Sequence, residues 1–327
     1  MNDAVYLEAY LAPLAPWLGR EDVTDILINR PGEVWIETAA GTERLAAPEL
    51  TPQALDRLAR QIAAASHQGV NREQPLLSAT LPDGARVQVV APPATRGGLV
   101  MAVRRHVIDN LSVEELAARG LFAQAPPGRG EDDADARLQA LLDAGDRAGF
   151  LKAAVRARKT LVISGGTATG KTTLLNALLK EVDAAERLIA IEDAAEVRLD
   201  HPNSVGLIAV RGELGEARVD ADALLAAALR LRPDRILLGE LRGAEAFAFL
   251  RAVNSGHPGS LTTVHADSPE AALDQIALLA LTSGLDLDFS RARGYVAGLV
   301  DVVVQLERAD GARRVADIRF RPRGATG

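Results

Sequence analysis

The chain has 327 residues, 48% of them hydrophobic and 25% charged, which is enough apolar material for one large or two ordinary globular domains and excludes a disordered tail protein. With no cysteine, neither a disulfide framework nor a thiolate metal site is possible. A net charge of −7 gives no overall electrostatic case for wrapping a polyanion, and six phenylalanines, three tyrosines and two tryptophans offer few platforms for stacking bases.

The opening residues carry Asp3 and Glu8 where an export signal would be positive, and Pro13 and Pro16 interrupt their apolar part. They are read as a segment packed on the first domain rather than as a signal or a membrane-surface helix. No run approaches the ~20 apolar residues that span a bilayer, so the chain is expected to be soluble and cytoplasmic. Residues 24–29 (TDILIN) and 33–37 (EVWIE) flank Arg30-Pro31-Gly32 and predict a strand hairpin. Residues 52–66 predict a helix with Thr51 as N-cap, and 79–81, 85–90 and 99–103 predict further strands. This is an α+β domain over residues 1–107.

Residues 123–136 (AQAPPGRGEDDADA) are rich in Pro, Gly and acid, with nothing to bury, and read as a linker or exposed loop within a connecting segment, 108–136. From 137 to 327 the pattern changes. Strands at 161–164, 187–191, 205–210, 235–240 and 260–265 alternate with helices from 171, at 221–231, 244–253 and 269–281. Such alternation predicts an α/β domain, a largely parallel sheet with helices on both faces.

Residues 161–178 (LVISGGTATGKTTLLNAL) place Gly165, Gly170, Lys171 and Thr172 in the pattern G-x-x-x-x-G-K-[ST], after an apolar strand and before a helix. Composition gives roughly 0.002 chance matches in a chain like this one. The loop Gly165, Gly166, Thr167, Ala168, Thr169, Gly170, with Lys171, Thr172 and Thr173 opening the helix, is the candidate phosphate cradle. Backbone N–H groups converge on the β-phosphate, Lys171 bridges the β- and γ-phosphates, and Thr172 coordinates Mg²⁺. All four lysines, against 33 arginines, fall in residues 152–180. Lys171 is the one whose compact ammonium fits between two phosphates. Lys152, Lys159 and Lys180 read as solvated surface residues.

Two later strands end in acid: RLIAIED brings Glu192 and Asp193, and RILLGE brings Glu240. Carboxyl ends of parallel strands face the ligand crevice. Glu240 is expected to hold Mg²⁺ through water or polarise the attacking water, and Glu192 to act as a general base. Asp193 and Glu196 are weaker candidates. His265 ends a strand of the same type and reads as a γ-phosphate sensor. His257 lies in a Gly/Pro turn and is left between a structural and a functional reading, whereas His67, His106 and His201 are read as structural.

GGTATGKTT, IEDAAEV, RPDRILLGELRG and SGHPGSLTTVHA, in this order and spacing, resemble the Walker A, Asp box, Walker B and His box of the secretion traffic ATPases, hexameric motors of type II and type IV secretion systems and type IV pili. TDILINRPGEVWIE and LPDGARVQVVAPP look like that family's N-terminal domain. The stretch 201–219 looks like the type IV secretion, DNA-transfer branch, with the Flp-type pilus branch its closest competitor. A DNA translocase and a nucleotide-dependent assembly switch are the alternatives from other classes.

The resemblance implies a RecA-like P-loop NTPase domain joined to a smaller α+β N-terminal domain, six copies in a ring, and ATP with Mg²⁺ as the nucleotide and ion. Its implied partners are further copies of itself and inner-membrane channel components, with peripheral contact at the inner membrane and no strong nucleic-acid binding. By position Lys171 and Thr172 bind phosphates and Mg²⁺, Glu240 is the Walker B acid, Glu192 the Asp-box acid and His265 the His-box residue. Arg104, Arg105 and Arg242 are candidates to neutralise the γ-phosphate. The family usually has Gly-Ser where this chain has Ala168-Thr169. The expectation is therefore that position 168 does not need a positive φ.

Overall fold

The computed structural model describes residues 3–105, 111–122, 131–210, 216–284 and 286–322. The chain opens with α1 (Asp3–Leu11), a 3₁₀ turn (Ala12–Leu14) and α2 (Ala15–Leu18). Pro13 and Pro16 sit in the first turns of the latter two, where a missing N–H leaves no bond unmade. Leu7, Leu14 and Trp17 are buried in the first domain's core, so this segment packs on that domain as its sequence suggests.

That core lies under a six-stranded antiparallel sheet. It contains β1 (Val23–Ile28), β2 (Gly32–Thr38), β3 (Gly41–Ala47), β4 (Leu76–Thr80), β5 (Arg86–Val90) and β6 (Val100–Arg104), in the order β3-β2-β1-β6-β5-β4. Between β3 and β4 runs α3 (Pro52–Ala65), capped by the Thr51 hydroxyl, which accepts the Ala54 N–H at 3.1 Å. It buries Leu55, Leu58, Ala59 and Ile62 on one face, the spacing of an amphipathic helix. The strand β3 has no counterpart in the sequence reading. Its residues are mostly exposed, as suits an edge strand that lacks an alternating apolar face.

Between the two sheets in chain order come α4 (Val113–Ala118), α5 (Glu131–Asp143) and α6 (Arg147–Arg156). Of the stretch read as a linker, 123–130 lies outside the described residues, and 131–136 is the start of α5. Asp135 is buried because Lys159, equally buried, forms an ion pair with it. Two sequence expectations are corrected here: an acidic stretch does have something to bury, and Lys159 is not a surface residue.

The second sheet holds β7 (Leu161–Gly165), β8 (Leu188–Glu192), β9 (Ser204–Ile208), β10 (Arg235–Leu238), β11 (Leu261–Val264), β12 (Val302–Ala309) and β13 (Ala312–Phe320). Its order is β13-β12-β7-β11-β10-β8-β9, parallel throughout except for β13. Helices cover both faces. Leu161 and Ile163 of β7 turn toward α6 and α7 (Lys171–Leu179), whereas Val162 turns toward a core built with α8 (Ala221–Ala228), α9 (Glu245–Asn254), α10 (Pro269–Leu281) and α11 (Phe289–Leu299). The hairpin β12–β13 turns on Asp310-Gly311, both at positive φ (53° and 79°), a pair suited to a two-residue turn.

The two sheets meet along the edge strand β9. In the loop between β5 and β6, Ala94 O accepts the Ile208 N–H and the Arg96 N–H donates to Gly206 O, each at 3.0 Å. Arg187, fully buried, donates to Asn29 Oδ1 at 2.7 Å, and burial pushes its guanidinium down to about 10. Leu27, Trp35, Val90, Val100 and Ala102 of the first sheet are continuous with the second domain's core.

Candidate nucleotide site

The phosphate loop leaves β7 at Gly165 and enters α7 at Lys171. Gly170 is the N-cap at φ 97°, a conformation that glycine adopts without steric cost. Ala168 also lies at positive φ, 61°. The expectation for position 168 is therefore wrong: the loop takes the left-handed conformation there, and a Cβ is carried at a cost of roughly 1–2 kcal/mol. The Thr169 hydroxyl ties the loop together by donating to Gly166 O at 2.9 Å. Lys171 Nζ donates to Gly165 O and Gly166 O at 2.8 and 3.1 Å, so the ammonium lies across the mouth of the loop.

Around it the strand ends assemble a cavity of about 480 Å³ lined by Lys171, Thr172, Glu192, Glu240, Arg242 and His265, with Thr167 and Ala168 on the loop side. Glu240 follows β10 and His265 follows β11, neighbours in the sheet, which brings His265 Nε2 to 2.5 Å from Glu240 Oε1. Lys171 Nζ lies 3.4 Å from His265 Nε2. Arg242 Nε donates to Glu240 Oε2 at 2.6 Å and its Nη1 reaches Asp193 Oδ2 at 3.4 Å. Burial holds the Lys171 ammonium below its ordinary value while Glu240 pulls it up. The hydrogen bond to Glu240 raises Arg242. Thr172 Oγ1 donates to Glu196 Oε2 at 3.2 Å, which moves Glu196 from a weak candidate to a neighbour of the loop hydroxyl. Thr173 does not line this cavity and borders a cleft beside α7.

Glu192 is brought to the cavity, where its carboxylate is held by the backbone and by a cation. It is buried, its Oε1 accepts the N–H groups of Glu196 and Val197 at 3.0 and 2.8 Å, and its Oε2 forms an ion pair with Arg96. It anchors the loop that carries Glu196. Arg96 is the residue sequence reasoning missed, because a single loop arginine among 33 carries no motif. A Cβ at Gly206 would fall 2.4 Å from its Cδ, so that glycine leaves room for the arginine to pass.

Arg104 and Arg105 do not reach this cavity in their own chain. Arg105 Nη1 donates to the carbonyl oxygens of Arg20 and Val23, the latter at 3.0 Å. Arg104 pairs in register with Arg86 across β5–β6, in a separate cavity of about 540 Å³ shared with Arg230 and Arg232. His257 Nδ1 lies 2.9 Å from Ala252 O and anchors its turn, and His201 Nε2 lies 2.8 Å from Asp183 O. His106 lies outside the described residues.

A family model described as type II/IV secretion system protein matches residues 8–310. The chain belongs to that family. Among its relatives, the type IV secretion system protein VirB11 of Bartonella quintana (strain Toulouse) is 38% identical over 95% of this chain and 92% of its own length. The type IV secretion system protein PtlH homolog of Bordetella bronchiseptica is 40% identical over 98% of both chains. The crystal structure of the VirB11 ATPase from the Brucella suis type IV secretion system, in complex with sulphate, superimposes with a TM-score of 0.90 at 36% identity, over 97% of this chain and 95% of that one. This member of the family is a secretion ATPase, with a RecA-like P-loop domain and a smaller α+β N-terminal domain. Among the described residues no helix is long and apolar enough to cross a membrane.

Proposed function

We propose that this chain hydrolyses ATP in the phosphate-loop cavity and, as a ring of six at the inner face of the inner membrane, powers a type IV secretion or conjugative DNA-transfer channel. The observation that carries the reading is the convergence of Lys171, Glu240 and His265 on one cavity, with Glu240 and His265 2.5 Å apart. The names of the relatives support the type IV branch over pilus assembly.

Lys171 exchanges its bonds to the Gly165 and Gly166 carbonyls for β- and γ-phosphate oxygens, and the first N–H groups of α7 hold the β-phosphate. The Thr172 hydroxyl, with Glu196 beside it and Glu240 across the cavity, is the kind of oxygen set that holds Mg²⁺ together with substrate phosphates and water. That ion neutralises phosphate charge when bound. Glu240 orients the attacking water and accepts its proton, and His265 reports the γ-phosphate to Glu240. Arg242 offsets the charge beside Glu240. Arg104 is supplied to the site of a neighbouring subunit, because in its own chain it lies in a different cavity, whereas Arg105 is committed to two backbone carbonyls. Motion of the N-terminal domain relative to the RecA-like domain then passes to channel components of the membrane.

The test is Glu240→Gln in the full chain. ATP hydrolysis should fall by about 10²- to 10⁴-fold while ATP still binds. A variant that turns over at the wild-type rate would remove Glu240 from the mechanism.

A further inference from the structure

The phosphate loop has a second, smaller cavity on its other side. It measures about 200 Å³ and is lined by residues 168–173 and by Arg313, the second residue of β13. It meets the catalytic cavity at Ala168, Lys171 and Thr172, the residues common to both. At that size, below the roughly 300 Å³ at which whole-ligand pockets begin, it takes one end of a ligand whose other end lies elsewhere.

The sheet order says which end. The strands that bring Glu192, Glu240 and His265, namely β8, β10 and β11, all lie on one side of β7, and β12 with β13 lies on the other. A nucleotide whose γ-phosphate points at Glu240 and His265 and whose β-phosphate sits on the loop must run its nucleoside toward the β12–β13 hairpin. Arg313 waits there. Its Cδ lies 3.2 Å from where a Cβ on Gly170 would stand, so the side chain lies along the loop backbone, and glycine at 170 is what lets it come so near. Among the described residues no hydrogen bond or ion pair engages its guanidinium, although Arg314 beside it pairs with Glu307. A planar cation with a free face at the nucleoside end of a phosphate loop has one obvious partner, the π-face of a purine.

We propose that Arg313 stacks its guanidinium on the base of the bound nucleotide, making the β12–β13 hairpin the wall that holds the nucleoside. The inference rests on the phosphate loop being the ATP site and adds a residue to it from an element far along the chain. A Lys at 313 would keep the charge without the plane, and Phe would keep the plane without the charge.

The experiment measures ATP affinity and steady-state kinetics in the full chain for wild type, Arg313→Ala, Arg313→Phe and Lys171→Ala, with inorganic tripolyphosphate as a base-free competitor. Arg313→Ala should weaken ATP by about threefold to thirtyfold, the range a stacked cation supplies. The loss should fall on KM rather than on kcat, Arg313→Phe should recover most of it, and the inhibition constant of tripolyphosphate should stay put. Unchanged ATP affinity in Arg313→Ala overturns the proposal. So does an equal loss for ATP and tripolyphosphate, which would make Arg313 a phosphate ligand. The underlying site is checked separately: if Lys171→Ala keeps wild-type ATP affinity, the phosphate-loop reading itself is wrong.

Discussion

Arg96 and Glu192 form an ion pair that crosses from the N-terminal domain to the carboxyl end of β8, where the Glu192 backbone and side chain border the nucleotide cavity. The carboxylate is almost wholly buried and the guanidinium four-fifths so, with Arg96 Nη1 also donating to Val197 O at 2.6 Å. One loop arginine therefore holds both the domain contact and the segment that carries Glu196 toward Thr172.

Removing that arginine leaves a buried carboxylate with two backbone donors and no cation. Arg96→Ala is expected to destabilise the protein by roughly 3 kcal/mol, read by denaturant unfolding. Glu192→Gln in the same background should give back part of the loss, so a double-mutant cycle returns a coupling above about 1 kcal/mol. Additive single costs would show that the pair does not act as one.

Ala168 at φ 61° makes an unusual prediction for a phosphate loop. Ala168→Gly removes a steric cost of roughly 1–2 kcal/mol and adds about 0.5–1 kcal/mol of backbone entropy, so it should stabilise the nucleotide-free protein slightly. Ala168→Val, with a branched Cβ in the same conformation, should destabilise it by more than either. A thermal unfolding series over the three residues checks the order.

Glu33 supplies the pH dependence. Burial pushes its carboxyl up, but hydrogen bonds from Arg30 Nε at 2.8 Å and Trp35 Nε1 at 3.2 Å, with Arg44 also paired to it, outweigh burial and hold it below its ordinary value of 4.5. The unfolded chain then binds more protons than the folded one in the window beneath 4.5. Stability from Glu33 is fully present above that value and is lost as pH falls through the lowered one. At pH 7, Glu33→Gln should cost about 1 kcal/mol, and its gap from wild type should close as the pH is taken below 4.5. A gap that stays constant from pH 7 to pH 3 would assign the loss to packing instead.

The gathering of the motif residues around one cavity was legible because each part is a short, local pattern: a glycine-rich loop between strand and helix, and acids or a histidine at strand ends. A parallel sheet then brings those ends together whatever the intervening sequence, as it does for Glu240 and His265. What was not legible depends on distance in the chain. Arg96 reaches Glu192 across 96 positions, and no local rule announces it. Arg313 is set beside Gly170 by a hairpin whose Asp310-Gly311 turn, flanked by VVVQLERA and ARRVADIRF, is a local signal, whereas its place beside the phosphate loop is not. Asp135 looked solvated because the Lys159 that pairs with it in the interior is 24 residues away. Ala168 misled for the opposite reason. Residue type argued against a left-handed conformation, and the loop imposed it.

The loop at 94–96 has one more consequence. The strand β9 is the last of its sheet, and its outward N–H and C=O groups would otherwise offer a template to any passing strand. By bonding to Gly206 and Ile208, the N-terminal domain blunts that margin from within the same chain. The sheet is thereby closed to strand addition at one side, while at the other it ends in the arginine-rich, partly exposed β13. Separating the two domains would uncover that strand border and at the same time break the ion pair beside the phosphate-loop cavity, because both contacts come from residues 94–96.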